Sequence, residues 1–62
     1  MIDEKCILKL RIFDDEYKII ESKGEYASAY TVKRNNRVIR VFTDIIRCAQ
    51  FLLKTYEEAH AT

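Results

Sequence analysis

Residues 43–61 read TDIIRCAQFLLKTYEEAHA, and this segment decides the fold. It contains neither glycine nor proline, and most of its residues favour helix. At about 100° per residue, one apolar stripe collects five side chains: Ile45, Ala49, Leu52, Tyr56 and Ala59. Charged and polar side chains occupy the opposite side. An amphipathic helix must cover an apolar surface, so we interpret the rest of the chain as a sheet beneath it.

The first β-rich segment spans residues 5–13, in which apolar and charged side chains largely alternate. A period of two over this length predicts a strand with one face towards a core. The core-facing set is Cys6, Leu8, Leu10 and Ile12. The polar residues 14–16 suit a turn.

A second segment, residues 17–22, is ambiguous. We favour a strand; the alternative is a short helix capped by Asp14 or Asp15 and ended before Gly24. Gly24 is the only glycine, so the loop at this residue is predicted to hold a positive φ.

Two β-rich runs, residues 26–34 and 37–42, flank the pair Asn35-Asn36. Asparagine tolerates the left-handed conformation of a type I′ turn, so the pattern predicts a hairpin. The two-residue loop sets a register in which Arg34 pairs with Arg37, Val32 with Ile39, and Tyr30 with Val41. The predicted core face is Tyr30, Val32, Ile39 and Val41. Thr43 or Asp44 is then expected to cap the helix.

The order strand, strand, strand, strand, helix predicts one small α+β domain over residues 1–62. Its sheet is an antiparallel meander of three or four strands, with the C-terminal helix packed on one face (ββββα).

Composition narrows the function classes. Eleven Lys and Arg balance ten Asp and Glu, and the pI near 7.8 lies below the range typical of nucleic-acid-binding domains.

The sequence shows no secretory signal and no membrane span, so we expect a soluble cytoplasmic protein with no membrane partner. The two cysteines are then expected to be reduced thiols, although a Cys6–Cys48 disulfide stays possible. No metal spacing or phosphate loop is present, so no metal and no cofactor is predicted.

Catalysis is not expected. His60 is the only histidine, and at a helix end it suits the helix dipole. A nucleophile paired with it would be Cys48 or Cys6. Cys48 lies three helical turns away, roughly 18 Å along the axis, and nothing in the sequence brings Cys6 close. We therefore predict that the protein is not an enzyme.

The sheet face left uncovered by the helix is the predicted binding surface, because alternation makes it basic and partly apolar. A solvated face with covered lysine stems is the alternative. Phe51 lies outside the helix stripe and is either a scattered exposed aromatic or a contact anchor. The candidate partner-binding residues are Ile7, Lys9, Arg11, Phe13, Val38, Arg40 and Phe51.

Two functions compete for this face. The first is a regulatory or inhibitory interaction protein that docks on a larger protein, on a second copy of itself as a homodimer, or on both. Such small domains are common among phage and mobile-element accessory proteins. The alternative is DNA or RNA binding through the face and the hairpin tip, with Lys9, Arg11, Lys33, Arg34, Arg37 and Arg40 on phosphates. The scarcity of aromatics for base stacking favours the protein partner.

A three-stranded sheet followed by a helix, with Phe-Thr-Asp at the junction and Cys48-Ala49 one turn in, resembles the plant ethylene-response-type DNA-binding domain. The amino-terminal arm-binding domains of transposon integrases look similar. The resemblance covers residues 37–56 and implies a sheet face that docks in the DNA major groove. This chain has Arg40-Val41 where the family has a glycine before the Phe, and it lacks Trp, so no site residue is carried over.

Overall fold

The computed structural model describes residues 3–61 as four strands and one helix. The elements are β1 (Asp3–Ile12), β2 (Asp15–Lys23), β3 (Ser28–Arg34), β4 (Arg37–Phe42) and α1 (Ile45–His60). The strands form one antiparallel sheet in the order β1-β2-β3-β4, and α1 packs on one of its faces. The α+β prediction, ββββα with a meander sheet, is confirmed, and the ambiguous second segment is a strand.

Left-handed backbone occurs at two of the three strand connections, the β1–β2 turn and the β3–β4 turn. Asn35 and Asn36 have φ of 51° and 69°, as a type I′ turn requires, so the predicted hairpin is confirmed. Phe13 in the β1–β2 turn has a φ of 53°, which is unusual for a bulky side chain. The expectation for Gly24 was wrong, because its φ is not positive. A close approach limits this position instead, since a Cβ on Gly24 would lie 3.0 Å from the Ala27 carbonyl oxygen.

A β-bulge interrupts β1 at Ile7. Cys6 pairs with Ile20 and Leu8 pairs with Ile19, so Ile7 is an extra residue without a partner in β2. One extra residue exchanges the two faces of a strand. Leu8 therefore stays on the helix side as predicted, whereas Cys6 turns to the opposite face and the prediction for it was wrong.

A second bulge interrupts β4 at Ile39. Val32 pairs with Arg40 and Lys33 pairs with Val38, which leaves Ile39 as the extra residue. The predicted pairing of Val32 with Ile39 was therefore wrong.

Beyond this bulge the faces of β4 are the reverse of those predicted. Tyr30 pairs with Phe42 and not with Val41. Arg40 and Phe42 therefore lie on the helix side, although alternation had placed Arg40 on the uncovered face. Val41 lies on the uncovered face and not in the core.

The core lies between α1 and the helix side of the sheet. Its buried members are Ile12, Tyr17, Ile19, Val32, Cys48 and Leu52. Half-buried side chains extend it: Leu10, Tyr30, Phe42, Phe51 and Ala59. Leu52 and Ala59 confirm part of the predicted helix stripe, but Ile45, Ala49 and Tyr56 are exposed. The covered stripe is thus rotated towards Cys48 and Phe51.

The helix crosses the sheet diagonally. Its N-cap is Asp44, whose Oδ1 accepts a hydrogen bond from the Ile46 N–H at 2.8 Å, so one of the two predicted caps is confirmed. The helix packs most closely on β3 and β4. At its far end the His60 ring lies 5.0 Å from the Phe13 ring in the β1–β2 turn.

Asp15 links the β1–β2 turn to the β3–β4 turn. Its carboxylate accepts hydrogen bonds from the Arg34 guanidinium at 2.8 Å and from the Asn35 side-chain amide at 2.9 Å. Asn35 in turn accepts from the Glu16 backbone N–H at 3.0 Å. These interactions lower the pKa of Asp15 below its ordinary value of 3.8. The hydrogen bond from Asn35 has the largest effect, and the hydrogen bond and positive charge of Arg34 add to it.

Asp15 should therefore make the fold acid-sensitive. A carboxyl whose pKa is lower in the folded state stabilises the fold above its unfolded pKa, and this stabilisation is lost as the pH falls through the folded value. We expect Asp15→Asn to lower the melting temperature at neutral pH and to have less effect below about pH 4. Thermal unfolding followed by circular dichroism across this range measures the difference, and a difference that grows in acid would contradict the role of Asp15.

Candidate functional site

The uncovered side of the sheet, called the open face from here on, is organised as cross-strand rows. One row consists of Lys9, Lys18, Lys33 and Val38, which are direct partners across β1, β2, β3 and β4. We call it the lysine row. Adjacent strands lie about 4.8 Å apart, so the three lysines line up side by side on neighbouring strands.

The lysine row is electrostatically unfavourable in the free protein, because like charges directly opposite each other destabilise a sheet. Lys18 is partly compensated: its Nζ lies 3.5 Å from a Glu16 carboxylate oxygen and 3.3 Å from the Asn36 side-chain oxygen. Among residues 3–61, neither Lys9 nor Lys33 forms a salt bridge. The row therefore has unsatisfied positive charge at both of its lysine ends.

A second row lies beside the first. Cys6, Ile20, Thr31 and Val41 pair across the four strands, and none of them carries a charge. We call it the neutral row. Val41 is 56% exposed, and Val38 at the end of the lysine row is 58% exposed. The open face thus places apolar groups next to a line of cations.

Three predicted partner-binding residues, Lys9, Arg11 and Val38, lie on the open face. A fourth, Ile7, is the bulged residue of β1, where the strand changes face. Ile7, Lys9 and Arg11 lie on β1, whereas Val38 lies on β4 at the opposite edge of the sheet, so the structure does not bring all four together.

The other three predicted partner-binding residues lie elsewhere. Phe13 is in the β1–β2 turn and contacts the end of the helix. Arg40 is on the helix side, with its guanidinium 5.6 Å and 5.8 Å from the Phe42 and Phe51 ring centroids. Phe51 is half-buried, and its ring centroid lies 5.5 Å from that of Phe42. It is therefore a packing residue and not an exposed anchor.

The residues predicted for nucleic acid are divided between the two faces. Lys9, Arg11 and Lys33 lie on the open face. Arg34 and Arg37 pair with each other on the helix side, where Arg40 also lies. A single flat ligand cannot contact both groups at once.

Sequence reasoning did not include Lys18, Ile20 or Val41 among the site residues. The partners of Lys18 and Ile20 in their rows depend on the register of β1 against β2. That register is set by the Phe13–Asp14 turn, whereas the polar run suggested a turn over residues 14–16. Val41 was missed because the Ile39 bulge gives no signal in the sequence.

The cysteines and the histidine do not assemble into a site. Cys6 is exposed on the open face, and Cys48 is buried on the helix side, so the disulfide that stayed possible does not form. Burial raises the pKa of the Cys48 thiol and keeps it protonated. Within the described part of the chain, no three His, Cys, Asp or Glu side chains are placed to hold a metal ion. No helix within residues 3–61 is long and apolar enough to cross a membrane.

Comparison with protein-family models, with curated proteins and with solved structures finds no match for this chain.

Proposed function

We propose that this protein is a non-catalytic interaction protein, regulatory or inhibitory in role, which docks its open face on a protein partner that presents acidic and apolar groups. The observation that carries the proposal is the lysine row beside the neutral row. Acidic side chains of a partner would relieve the repulsion among Lys9, Lys18 and Lys33. Apolar side chains of the same partner would cover Ile20 and Val41.

Energetics favour a mixed partner over a purely anionic one. Exposed ion pairs contribute little, about 0–1 kcal/mol each, so three lysines alone give weak binding. Covering the exposed valines adds about 25 cal/mol for each Å² of apolar surface removed from water. A protein surface offers both kinds of contact in one patch, with an apolar centre and a charged rim.

Nucleic acid is the second candidate, and the lysine row favours it because ammonium groups bind phosphates. The open face has no aromatic side chain with which to stack bases, since all seven aromatic residues lie on the helix side, in turns or loops, or on the helix. Binding would then be limited to phosphates and would not depend on base sequence.

Fluorescence anisotropy with three polyanions separates the two candidates. The probes are a random copolymer of glutamate and tyrosine, polyglutamate, and random-sequence duplex DNA. We expect the copolymer to bind most tightly at physiological salt, because it alone supplies both acidic and apolar groups. If the three lysines instead contact phosphates, the affinity for DNA should fall about fortyfold between 50 and 200 mM salt.

Variants of the open face should change this ranking. Val41→Glu places a charge in the neutral row, and we expect it to weaken copolymer binding by about tenfold or more. Lys9→Glu combined with Lys33→Glu should abolish binding to all three probes. Gln50→Glu, on the polar side of the helix, is the matched control and should leave binding unchanged. Tighter binding to DNA than to the copolymer would replace the first candidate with the second, and no binding to any probe would overturn both.

A further inference from the structure

A groove of about 420 Å³ lies at the tip of the β3–β4 hairpin, lined by Arg34, Asn35, Arg37 and Ile39. Its volume is within the range of about 300–1,000 Å³ that is typical of small-molecule sites. Both arginines are on the helix side of the sheet, because Arg34 pairs with core residue Tyr17 and Arg37 pairs with Arg34. Within residues 3–61, no residue of α1 lines the groove, so the helix leaves this corner of the sheet open. We call it the arginine groove.

The two arginines of the groove are placed to act on one bound group. They form the last pair of the hairpin before the Asn35-Asn36 turn, and both are exposed. Directly opposed side chains on one face of a sheet have Cβ atoms about 4.5–5.5 Å apart, and like charges in such a pair repel each other. An anion held between the two guanidinium groups would replace this repulsion with attraction.

Arg34 is held in position by a neighbour outside the groove. Its Nη2 donates to an Asp15 carboxylate oxygen at 2.8 Å, and its side chain is still 50% exposed. A guanidinium group has five N–H donors, so this ion pair leaves other donors of Arg34 for a ligand. Because the ion pair already orders the side chain, a ligand loses less affinity to the cost of ordering it.

The charge of Arg37 is not balanced in the same way. Among residues 3–61, Arg37 forms no salt bridge, and no Asp or Glu lines the groove. Asn35, the remaining polar residue of the lining, is already bonded to Asp15 and to the Glu16 backbone N–H. The groove therefore offers two guanidinium groups as its main donors, beside the alkyl side chain of Ile39, which is 42% exposed.

Two guanidinium groups fit a phosphate monoester better than a carboxylate. Each guanidinium is a planar fork that can donate two parallel hydrogen bonds to one anion. A carboxylate has two oxygens and fills one fork, whereas a phosphate monoester has three terminal oxygens and a charge of about −1.5 to −2 at pH 7. The organic group of the ester would then lie against Ile39.

We propose that the arginine groove binds a phosphate monoester that carries an aryl or alkyl group. Arg34 and Arg37 donate hydrogen bonds to its terminal oxygens, and Ile39 contacts its organic group. Asp15 is a positioning residue, which keeps Arg34 turned towards the ligand. The groove is on the side of the sheet opposite to the open face, so this site goes beyond the docking function and does not depend on it.

Titration with phenyl phosphate, followed by ¹⁵N NMR of the wild-type chain, tests the site. We expect the largest shift changes at the Nε–H groups of Arg34 and Arg37. Benzoate is the matched probe with one fork's worth of oxygens, and it should bind about tenfold more weakly. Inorganic phosphate should also bind more weakly than phenyl phosphate, because it makes no contact with Ile39. Shift changes confined to the lysine row, or none at all, would overturn the proposal.

Variants of Arg37 show whether the fork itself is required. Arg37→Gln should weaken phenyl phosphate binding about tenfold or more, and Arg37→Lys, which keeps the charge without the fork, should lose part of the affinity. Arg47→Gln removes an exposed arginine of the helix that does not line the groove, so it is the matched control and should bind like the wild type. Wild-type affinity in Arg37→Gln, or an equal loss in Arg47→Gln, would overturn the site.

A further probe distinguishes the two sources of such an ester. N-acetyl-phosphotyrosine amide carries the phenyl phosphate group between two peptide bonds. Affinity equal to that of phenyl phosphate would assign the groove to a phosphorylated protein segment, and affinity at least tenfold lower would assign it to a free small molecule. A wild-type chain that binds the glutamate–tyrosine copolymer but not phenyl phosphate would remove the phosphate site and leave the docking function standing.

Discussion

Replacement of Leu52 by alanine should lower the free energy of unfolding by about 3 kcal/mol, within the 2–5 kcal/mol measured for buried Leu→Ala changes. Leu52 is one of six buried side chains between the helix and the sheet, and it is 4% exposed. The truncation removes apolar contacts on the helix side and leaves a cavity beneath α1. A domain of this size has only about 3–9 kcal/mol of stability in total, so the loss is a large fraction of it.

Thermal unfolding measures this effect. A loss of 1 kcal/mol lowers the melting temperature of so small a domain by about 4–8 °C, so Leu52→Ala should melt well over 10 °C below the wild type. Leu52→Met is the matched control, because it nearly conserves volume and should cost less than about 1.5 kcal/mol. If the two variants melt together, Leu52 does not pack the helix onto the sheet.

Truncation of Phe51 to alanine should also destabilise the fold, by about 2 kcal/mol. Fully buried phenylalanines lose 3–5 kcal/mol on truncation, and Phe51 is half-buried against Phe42. Arg40 lies over both rings and loses one of its two aromatic contacts. The interpretation of Phe51 as an exposed contact anchor expects the opposite, namely weaker partner binding with unchanged stability.

A double-mutant cycle resolves the aromatic pair. Chemical denaturation of Phe51→Leu, Phe42→Leu and the double variant should give a coupling energy of about 0.5–1.5 kcal/mol, as aromatic pairs do beyond their buried area. Phe51→Leu alone should restore part of the stability lost in Phe51→Ala. A Phe51→Ala variant as stable as the wild type would show that Phe51 does not stabilise the packing of the helix on the sheet, and would favour the exposed anchor.

The sequence identifies the elements of this fold better than their faces. The Asn35-Asn36 turn is readable because few residues accept consecutive positive φ angles. The helix is readable from its period, but its apolar arc is wider than one sheet can cover. Periodicity therefore could not show that Phe51 rather than Tyr56 would meet the sheet. Tertiary packing selects which part of the arc is buried.

The candidate site was predictable only where strand alternation is unbroken. Lys9, Arg11, Lys33 and Val38 were placed correctly because each lies between the turn end of its hairpin and the bulge, where the period of two holds. Arg40 lies beyond the Ile39 bulge and was placed on the wrong face. A bulge adds one residue without a distinctive side chain, so neither the Ile7 nor the Ile39 bulge could be inferred from composition or spacing.

The meander order has a consequence for how the chain reaches its native state. Every strand pairs with its neighbour in sequence, and the helix packs most closely on β3 and β4, the two strands that precede it. Short loops closed between adjacent segments cost little entropy before their contacts form, and such low contact order accompanies fast folding. The contact between Phe13 and His60 spans most of the chain, because it joins the first turn to the end of the helix. A chain with this strand order does not need the slow search for distant strand partners that delays the folding of sandwiches and barrels.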